Sequence, residues 1–270
     1  MSHAMGVLGE IVRHKRDEVV RRKREVPRSE LEARAKHALP PRDFRAALRP
    51  EPPARVRLIA EIKKGSPSRG MFADSFDPVA LARTYAANGA TALSVLTDEK
   101  YFHGRLEHLE AVRAAVDLPL LRKDFILDEY QLWEARARGA DAVLLIVAAL
   151  EAPHLRDLAQ AAKGIGLGAL VEVHTLPELD QALALDLSVI GINNRDLQTL
   201  ETRLETSLEL ISRIPPGPVV VSESGFFTRE DVERVVTAGA HAVLVGEALV
   251  TAGDVAAKVR ELALLEEDQA

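Results

Sequence analysis

The sequence predicts an α/β fold, a single (β/α)8 TIM barrel carrying an N-terminal helical extension. Three observations carry that expectation. From Arg57 onward, eight short aliphatic and β-branched runs alternate with stretches of helical periodicity. Several helical stretches close on Gly-Ala just ahead of the next run (Gly89-Ala90, Gly139-Ala140, Gly239-Ala240), which suits a left-handed helix stop. Eight β-then-α units with short connections are also the number that closes a parallel sheet on itself. An open doubly wound sheet is the structural rival. Its glycine-rich dinucleotide loop is approached only by GIGLG at 164–168, which precedes a strand instead of following one. The units differ in length and share no strict repeat, which argues against a solenoid.

The elements follow in order. Residues 8–25 (LGEIVRHKRDEVVRRKRE) read as an amphipathic helix, with Leu8, Ile11, Val12 and Val19 near one face. Its segment 13–24 holds seven Lys or Arg against two Asp or Glu, which reads as a solvated face. A proline-rich connector at 38–55 leads into the first strand. The eight strand runs are 57–64, 91–98, 119–126, 142–150, 170–175, 189–197, 219–225 and 242–249, and DPVALARTYAANGA (77–90) and DEYQLWEARARGA (128–140) exemplify the intervening helices. The chain therefore divides into an extension and connector (1–50), the barrel (51–262) and an acidic tail (263–270) expected to be disordered, all within one structural domain. MSHA ahead of Met5 reads as a tag remnant and is left out of the fold argument.

Composition bounds the function. The 270 residues are 47% hydrophobic and 28% charged, an ordinary soluble globular profile able to bury a large core. Aromatics make up only 4%, so Ala, Val, Leu and Ile must fill that core. A net charge of −6 argues against nucleic acid as a partner. The absence of cysteine removes disulfides, thiolate nucleophiles and cysteine metal sites, and fits a reducing cytoplasm. No apolar run reaches the roughly 18 residues of a membrane span, and no secretory signal opens the chain.

In such barrels the site lies at the C-terminal ends of the strands. Alternation along the first strand puts Leu58, Ala60 and Ile62 on one face and Ile59, Glu61 and Lys63 on the other. If the first set packs on helices, the charged pair points into the barrel mouth; the alternative is an ion pair that merely satisfies itself. The third strand ends in Arg122-Lys123-Asp124, the fifth carries Glu172, the sixth ends in Asn193-Asn194-Arg195-Asp196 and the seventh in Ser222-Glu223-Ser224-Gly225. Polar groups from five strands would converge on one mouth, and burying them unpaired would cost several kcal/mol each, so function is the economical reading. Ser224-Gly225 and Gly246 follow the seventh and eighth strands, where barrels often hold phosphate, and Ser66 and Arg195 can add donors. A tight turn is the plainer reading of a lone Ser-Gly. No G-x-S-x-G elbow, Walker loop or H-E-x-x-H is present. His174 shares parity with Glu172 but no second His or carboxylate completes a metal triad by spacing, so it reads as structural or solvent-facing.

AEIKKGSPSRG (60–70), SVLTDEKYFHG (94–104), LLRKDFI (120–126), LVEVHT (170–175), IGINNRDL (190–197) and VSESG (221–225) together resemble the indole-3-glycerol phosphate synthases of tryptophan biosynthesis. The likeness runs in order through all eight strands, from about Gly6 to Thr251, and includes the helical extension. It implies a carboxy-lyase that closes a ring on 1-(2-carboxyphenylamino)-1-deoxyribulose 5-phosphate with loss of carbon dioxide and water, and needs neither metal nor redox cofactor. By resemblance Lys63 contacts the substrate carboxylate and shares in acid/base steps, with Glu61 beside it favouring the cation. Lys123 is the acid that protonates the carbonyl, Glu172 serves the later proton transfers, and Asn193 and Glu223 orient lysines and hydroxyls. Ser66, Ser224, Gly225, Gly246 and Arg195 hold the phosphate, and Phe102, Leu144 and Leu244 sandwich the anthranilate ring. Glu247 departs, standing where some relatives have Ser; there only its backbone N–H suits a phosphate.

Two rivals remain. Phosphoribosylanthranilate isomerase, another phosphate-binding barrel of the pathway, uses a Cys base near the end of its first strand, and this chain has none. A catalytically silent barrel acting as a scaffold with other tryptophan-pathway enzymes would not need the ionisable groups present.

Overall fold

A computed structural model describes residues 6–52, 54–66, 70–72, 76–185, 187–197 and 199–265. Eight parallel strands close a barrel: β1 (Arg57–Ile62), β2 (Ala92–Leu96), β3 (Leu120–Lys123), β4 (Ala142–Ile146), β5 (Gly168–Val173), β6 (Val189–Asn193), β7 (Val219–Glu223) and β8 (Ala242–Val245). Each pairs with its neighbour in sequence, and β8 returns to β1 through Arg57↔Ala242 to Ala60↔Val245. All eight expected strands are present. The runs at 142–150 and 242–249 outlast theirs: Val147–Ala149 form a 3-10 turn and Glu247–Val250 a short helix. There the apolar letters continue because Val147, Ala248 and Leu249 pack in the strand–helix layer, not because pairing continues.

Alternation sorts the core into two shells. Leu58, Ala60 and Ile62, with Leu93, Val95, Val143 and Leu145, face the surrounding helices. Ile59, Leu121, Leu170, Val219, Val221 and Ala242 fill the barrel interior. All are essentially inaccessible, and each such Val, Leu or Ile contributes roughly 1.5–3 kcal/mol relative to exposure. The left-handed helix stops occur as expected, with φ of +112°, +85° and +115° at Gly89, Gly139 and Gly239.

The extension grips both ends of the barrel. Helix α1 (Val7–Glu25) sends Val7, Leu8 and Ile11 to the cavity at the C-terminal ends of the strands, and α2 (Arg28–His37) packs on the helix Glu129–Ala137. The proline-rich connector then carries Phe44 and Leu48 into the interior cluster beside Ile59 and Ala142, plugging the opposite end. The backbone N–H of Arg42 donates to Asp141 Oδ1 at 2.7 Å, tying the connector to the start of β4. At the C-terminus the ordered chain runs further than composition suggested. Ala263 and Leu264 are buried, and Arg229 donates to the Leu265 carbonyl at 2.6 Å. Disorder from 263 onward is therefore corrected for these three residues: Ala263 and Leu264 join the apolar layer under the final helix, a role that the acidic letters after them mask. The remainder of that tail, 266–270, and the MSHA segment lie outside the described residues.

Candidate active site

The strand ends build an ionic centre. Lys123, the last residue of β3, places Nζ 2.5 Å from Glu223 Oε2 and 3.2 Å from Glu172 Oε2. Both carboxylates are almost wholly buried, at 2% and 1% exposure for Glu172 and Glu223. Burial alone would discharge the lysine, but Glu223, Glu172 and Glu61 outweigh it and hold the ammonium far above its ordinary range. The two carboxylates part company. Burial raises both, yet for Glu172 it is outweighed by Lys123 and then by His174, so that group stays ionised. Glu223 is pushed up to about 7, first by burial and then by the charge of Glu172, against the pull of Lys123. A pair split this way supplies a base and an acid in one site.

Glycine makes room for this. A Cβ at Gly191, which points inward on β6, would collide with Glu223 Oε1, and one at Gly246 would collide with Glu61 Oε1. Glu61 Oε1 itself stands 3.0 Å from Lys63 Nζ, so the first strand's charged pair does face the mouth as its phase required. Lys63 Nζ also lies 5.4 Å from the centroid of the Phe72 ring. The Asn193 side chain helps to hold Glu172 ionised, and its Oδ1 accepts from the Arg195 N–H at 3.0 Å.

Ser66, Ser224, Gly225, Gly246 and Glu247 line the same cavity, joined by Arg195. Ser224 and Gly225 take consecutive left-handed conformations, φ +69° and +89°, and the Ser224 N–H donates to the Leu244 carbonyl at 3.4 Å. Asn194 secures that turn: its Nδ2 donates to the Ser224 carbonyl at 2.9 Å and to Ser222 Oγ at 3.2 Å. Arg195 Nη2 rests 3.6 Å from Glu247 Oε2, so Glu247 provides a counter-charge to the arginine.

An apolar wall completes the cavity. Phe102, Leu144 and Leu244 stand on it as expected, with Phe102 and Phe125 tilted at 39° and 6.2 Å between centroids. Of the fifteen residues singled out from the sequence, fourteen line this cavity, and the fifteenth, Glu223, reaches it by its contact with Lys123. The sequence missed Val7, Leu8 and Ile11 as wall residues. Their helical spacing announced a buried face but not what it covers.

It also missed what fastens α1 there. Lys15, read as part of a solvated face, is 0% exposed and lies 2.9 Å from both Asp98 Oδ2 and Asp124 Oδ1, and 3.0 Å from Glu18 Oε2. Arg122 Nη2 bridges Asp124 Oδ2 at 3.0 Å and Glu134 Oε2 at 2.8 Å, and Arg22 links Glu134 back to Glu18. Asp98 N-caps the helix Glu99–Phe102, and Asp124 follows Lys123 in the chain. The network therefore underlies both the apolar wall and the central lysine. His174, read as structural or solvent-facing, is the former: it is mostly buried, between Glu172 and Glu178. Among the described residues no cluster of three His, Cys, Asp or Glu is arranged to hold a metal ion, and no helix is long and apolar enough to cross a membrane.

A family model described as indole-3-glycerol phosphate synthase matches residues 8–262, nearly the whole chain. The chain belongs to the indole-3-glycerol phosphate synthase family. A protein of that name from Roseiflexus sp. (strain RS-1) is 54% identical over 264 residues, covering 95% of this chain and 97% of its own. Another, from Chloroherpeton thalassium, is 48% identical over 254 residues, covering 94% and 98%. Two solved structures share the barrel at low identity, which shows fold alone. The 3-hexulose-6-phosphate synthase of Salmonella typhimurium has a TM-score of 0.64 at 14% identity, over 77% of this chain and 97% of its own. The thiamine phosphate pyrophosphorylase of Pyrococcus furiosus has a TM-score of 0.57 at 18% identity, over 77% and 94%. Membership of the indole-3-glycerol phosphate synthase family thus rests on residues 8–262, which include most of the extension.

Proposed function

We propose that the chain converts 1-(2-carboxyphenylamino)-1-deoxyribulose 5-phosphate into indole-3-glycerol phosphate, carbon dioxide and water, with Lys123 as the general acid. The observation that carries this is the central ammonium held between two carboxylates of opposite tendency, in a cavity lined both by an apolar wall and by the strand-end turns at Ser224-Gly225 and Gly246. Lys123 protonates the ribulose carbonyl oxygen as the ring carbon attacks. Its raised affinity for the proton would make it a reluctant donor, but uptake of a proton by Glu223 removes one of the charges holding it and frees it to act. Lys63, steadied by Glu61, faces the substrate carboxylate until carbon dioxide leaves. Glu172, kept ionised, takes the proton released on the way to the aromatic indole. Asn193 fixes Glu172 and the backbone of Arg195.

The phosphate is assigned to Ser66, Arg195, the Ser224-Gly225 turn and the backbone at Gly246-Glu247, and the anthranilate ring to Phe102, Leu144 and Leu244. Ser224→Asp is expected to raise KM by electrostatic repulsion with a smaller change in kcat; steady-state kinetics with an unchanged KM would move the phosphate elsewhere. Gly191→Ala is expected to displace the Glu223 carboxylate and lower kcat while leaving KM near that of the parent, since the methyl group meets the acid and not the substrate.

The test is a fluorescence time course with the deoxyribulose phosphate, followed by chromatography of the product, without added metal or nucleotide. Indole-3-glycerol phosphate is expected. Binding without turnover would favour the silent scaffold, and no binding would dismiss the substrate. The cysteine-free composition suits a cytoplasmic setting, and association with other enzymes of the pathway is open to co-elution on gel filtration.

A further inference from the structure

We propose that His174 is a positioning residue that decides which of the two carboxylates beside Lys123 remains ionised, holding Glu172 as the base and leaving the shared proton to Glu223. The inference rests on the reading of Glu172 given above. Lys123 by itself cannot select Glu172, because its Nζ meets one oxygen of each carboxylate and stands nearer Glu223, at 2.5 Å against 3.2 Å. The second oxygens differ. Glu172 Oε1 lies 3.2 Å from His174 Nε2, whereas Glu223 Oε1 is buried with no hydrogen-bond partner among the described residues. One carboxylate therefore has a cation at each oxygen and the other has a cation at only one.

The imidazole is fixed in the charged form by its surroundings. Nδ1 lies 3.0 Å from Glu178 Oε2, so each ring nitrogen faces a carboxylate and keeps its hydrogen. Burial works against the charge, but the contacts with Glu172 and Glu178 outweigh it and lift the group to about 10. The Nε2 contact is an ion pair lying off the hydrogen-bond axis, so its effect is that of charge placed beside the carboxylate. Capping does not require the ring: the backbone N–H of His174 already donates to Glu178 Oε2 at 2.8 Å, and Thr175 caps the following helix. The charged groups facing this centre are Lys123 from β3, Glu223 from β7, Glu61 from β1 and Glu178 from the helix Leu176–Leu183, with uncharged Asn193 from β6.

The experiment compares pH profiles of kcat for the parent, His174→Gln, Glu178→Gln and Glu172→Gln. For the parent, the acidic limb due to Glu172 lies well below neutrality. His174→Gln removes the cation, and the limb is expected to rise by about one unit or more, with kcat reduced and KM little changed. Glu178→Gln keeps the ring but removes the carboxylate that helps charge it, and is expected to shift the limb in the same direction by less; it serves if His174→Gln does not fold. A parental limb in a folded His174→Gln, or in Glu178→Gln where that alone folds, overturns the proposal whatever happens to kcat or thermal stability. Normal turnover by Glu172→Gln instead overturns the assignment of Glu172, and the proposal with it. A limb that rises while Glu172→Gln is inactive supports both.

Discussion

Lys123→Ala is expected to lower kcat roughly 10²–10⁴-fold, the range for a lost general acid. The site supports this because no other ammonium contacts both Glu172 and Glu223 among the described residues. The side chain is also the counter-charge for two carboxylates with almost no access to water. Its loss leaves them facing each other, so one takes up a proton and the fold survives with a pair that carries a single charge. Single-turnover kinetics with a circular-dichroism melt separate the two effects. A folded variant with near-normal turnover would remove Lys123 from the mechanism.

Lys15→Met is expected to be the most destabilising substitution in the extension. Removing one partner of a buried ion pair costs ~3–5 kcal/mol, because the charge left behind is neither solvated nor paired. Here Asp98 would lose the cation beside its buried Oδ2, while Asp124 would keep Arg122 but lose the cation at Oδ1, in a space closed to water. Urea denaturation should show a lower midpoint, and kcat should fall as well, because Asp98 caps the turn bearing Phe102 and Asp124 adjoins Lys123. An unchanged midpoint would show that α1 is held by its apolar face alone. Acid reports the same network in the parent. Burial would raise the Asp124 carboxyl, but Lys15 and Arg122 outweigh it and hold it well below the usual carboxylate range. A depressed folded pKa stabilises above the unfolded value, so this contribution is full at neutral pH. It is lost as the pH falls from about 4 toward the folded pKa.

Much of the site was legible because strand phase is a local property. Once Leu58, Ala60 and Ile62 face the helices, Glu61 and Lys63 must face the mouth, and the same parity aligns Lys123, Glu172, Asn193 and Glu223. Lys15 was misread for the converse reason. A helix surrounded by seven basic letters looks solvated, and nothing within it reveals that Asp98 and Asp124 arrive more than eighty residues later to enclose one of them. Leu264 was obscured by the acidic letters that follow it.

The sequence by itself determined the eight-strand α/β order, the helix stops at Gly89, Gly139 and Gly239, and the residues delivered to the barrel mouth. These depend on alternation and backbone stereochemistry, which act over a few residues. Only the tertiary structure decided how those groups ionise. Glu172 and Glu223 are the same residue type at the same inward phase, yet one stays charged and the other is raised toward neutral pH. The difference comes from an imidazole that meets Glu172 Oε1, while Glu223 Oε1 has no hydrogen-bond partner among the described residues, and from the charge of Glu172 acting on Glu223 across 51 residues of chain. Electrostatic energy depends on distance through space and on exclusion of water, and neither can be read from order along the chain.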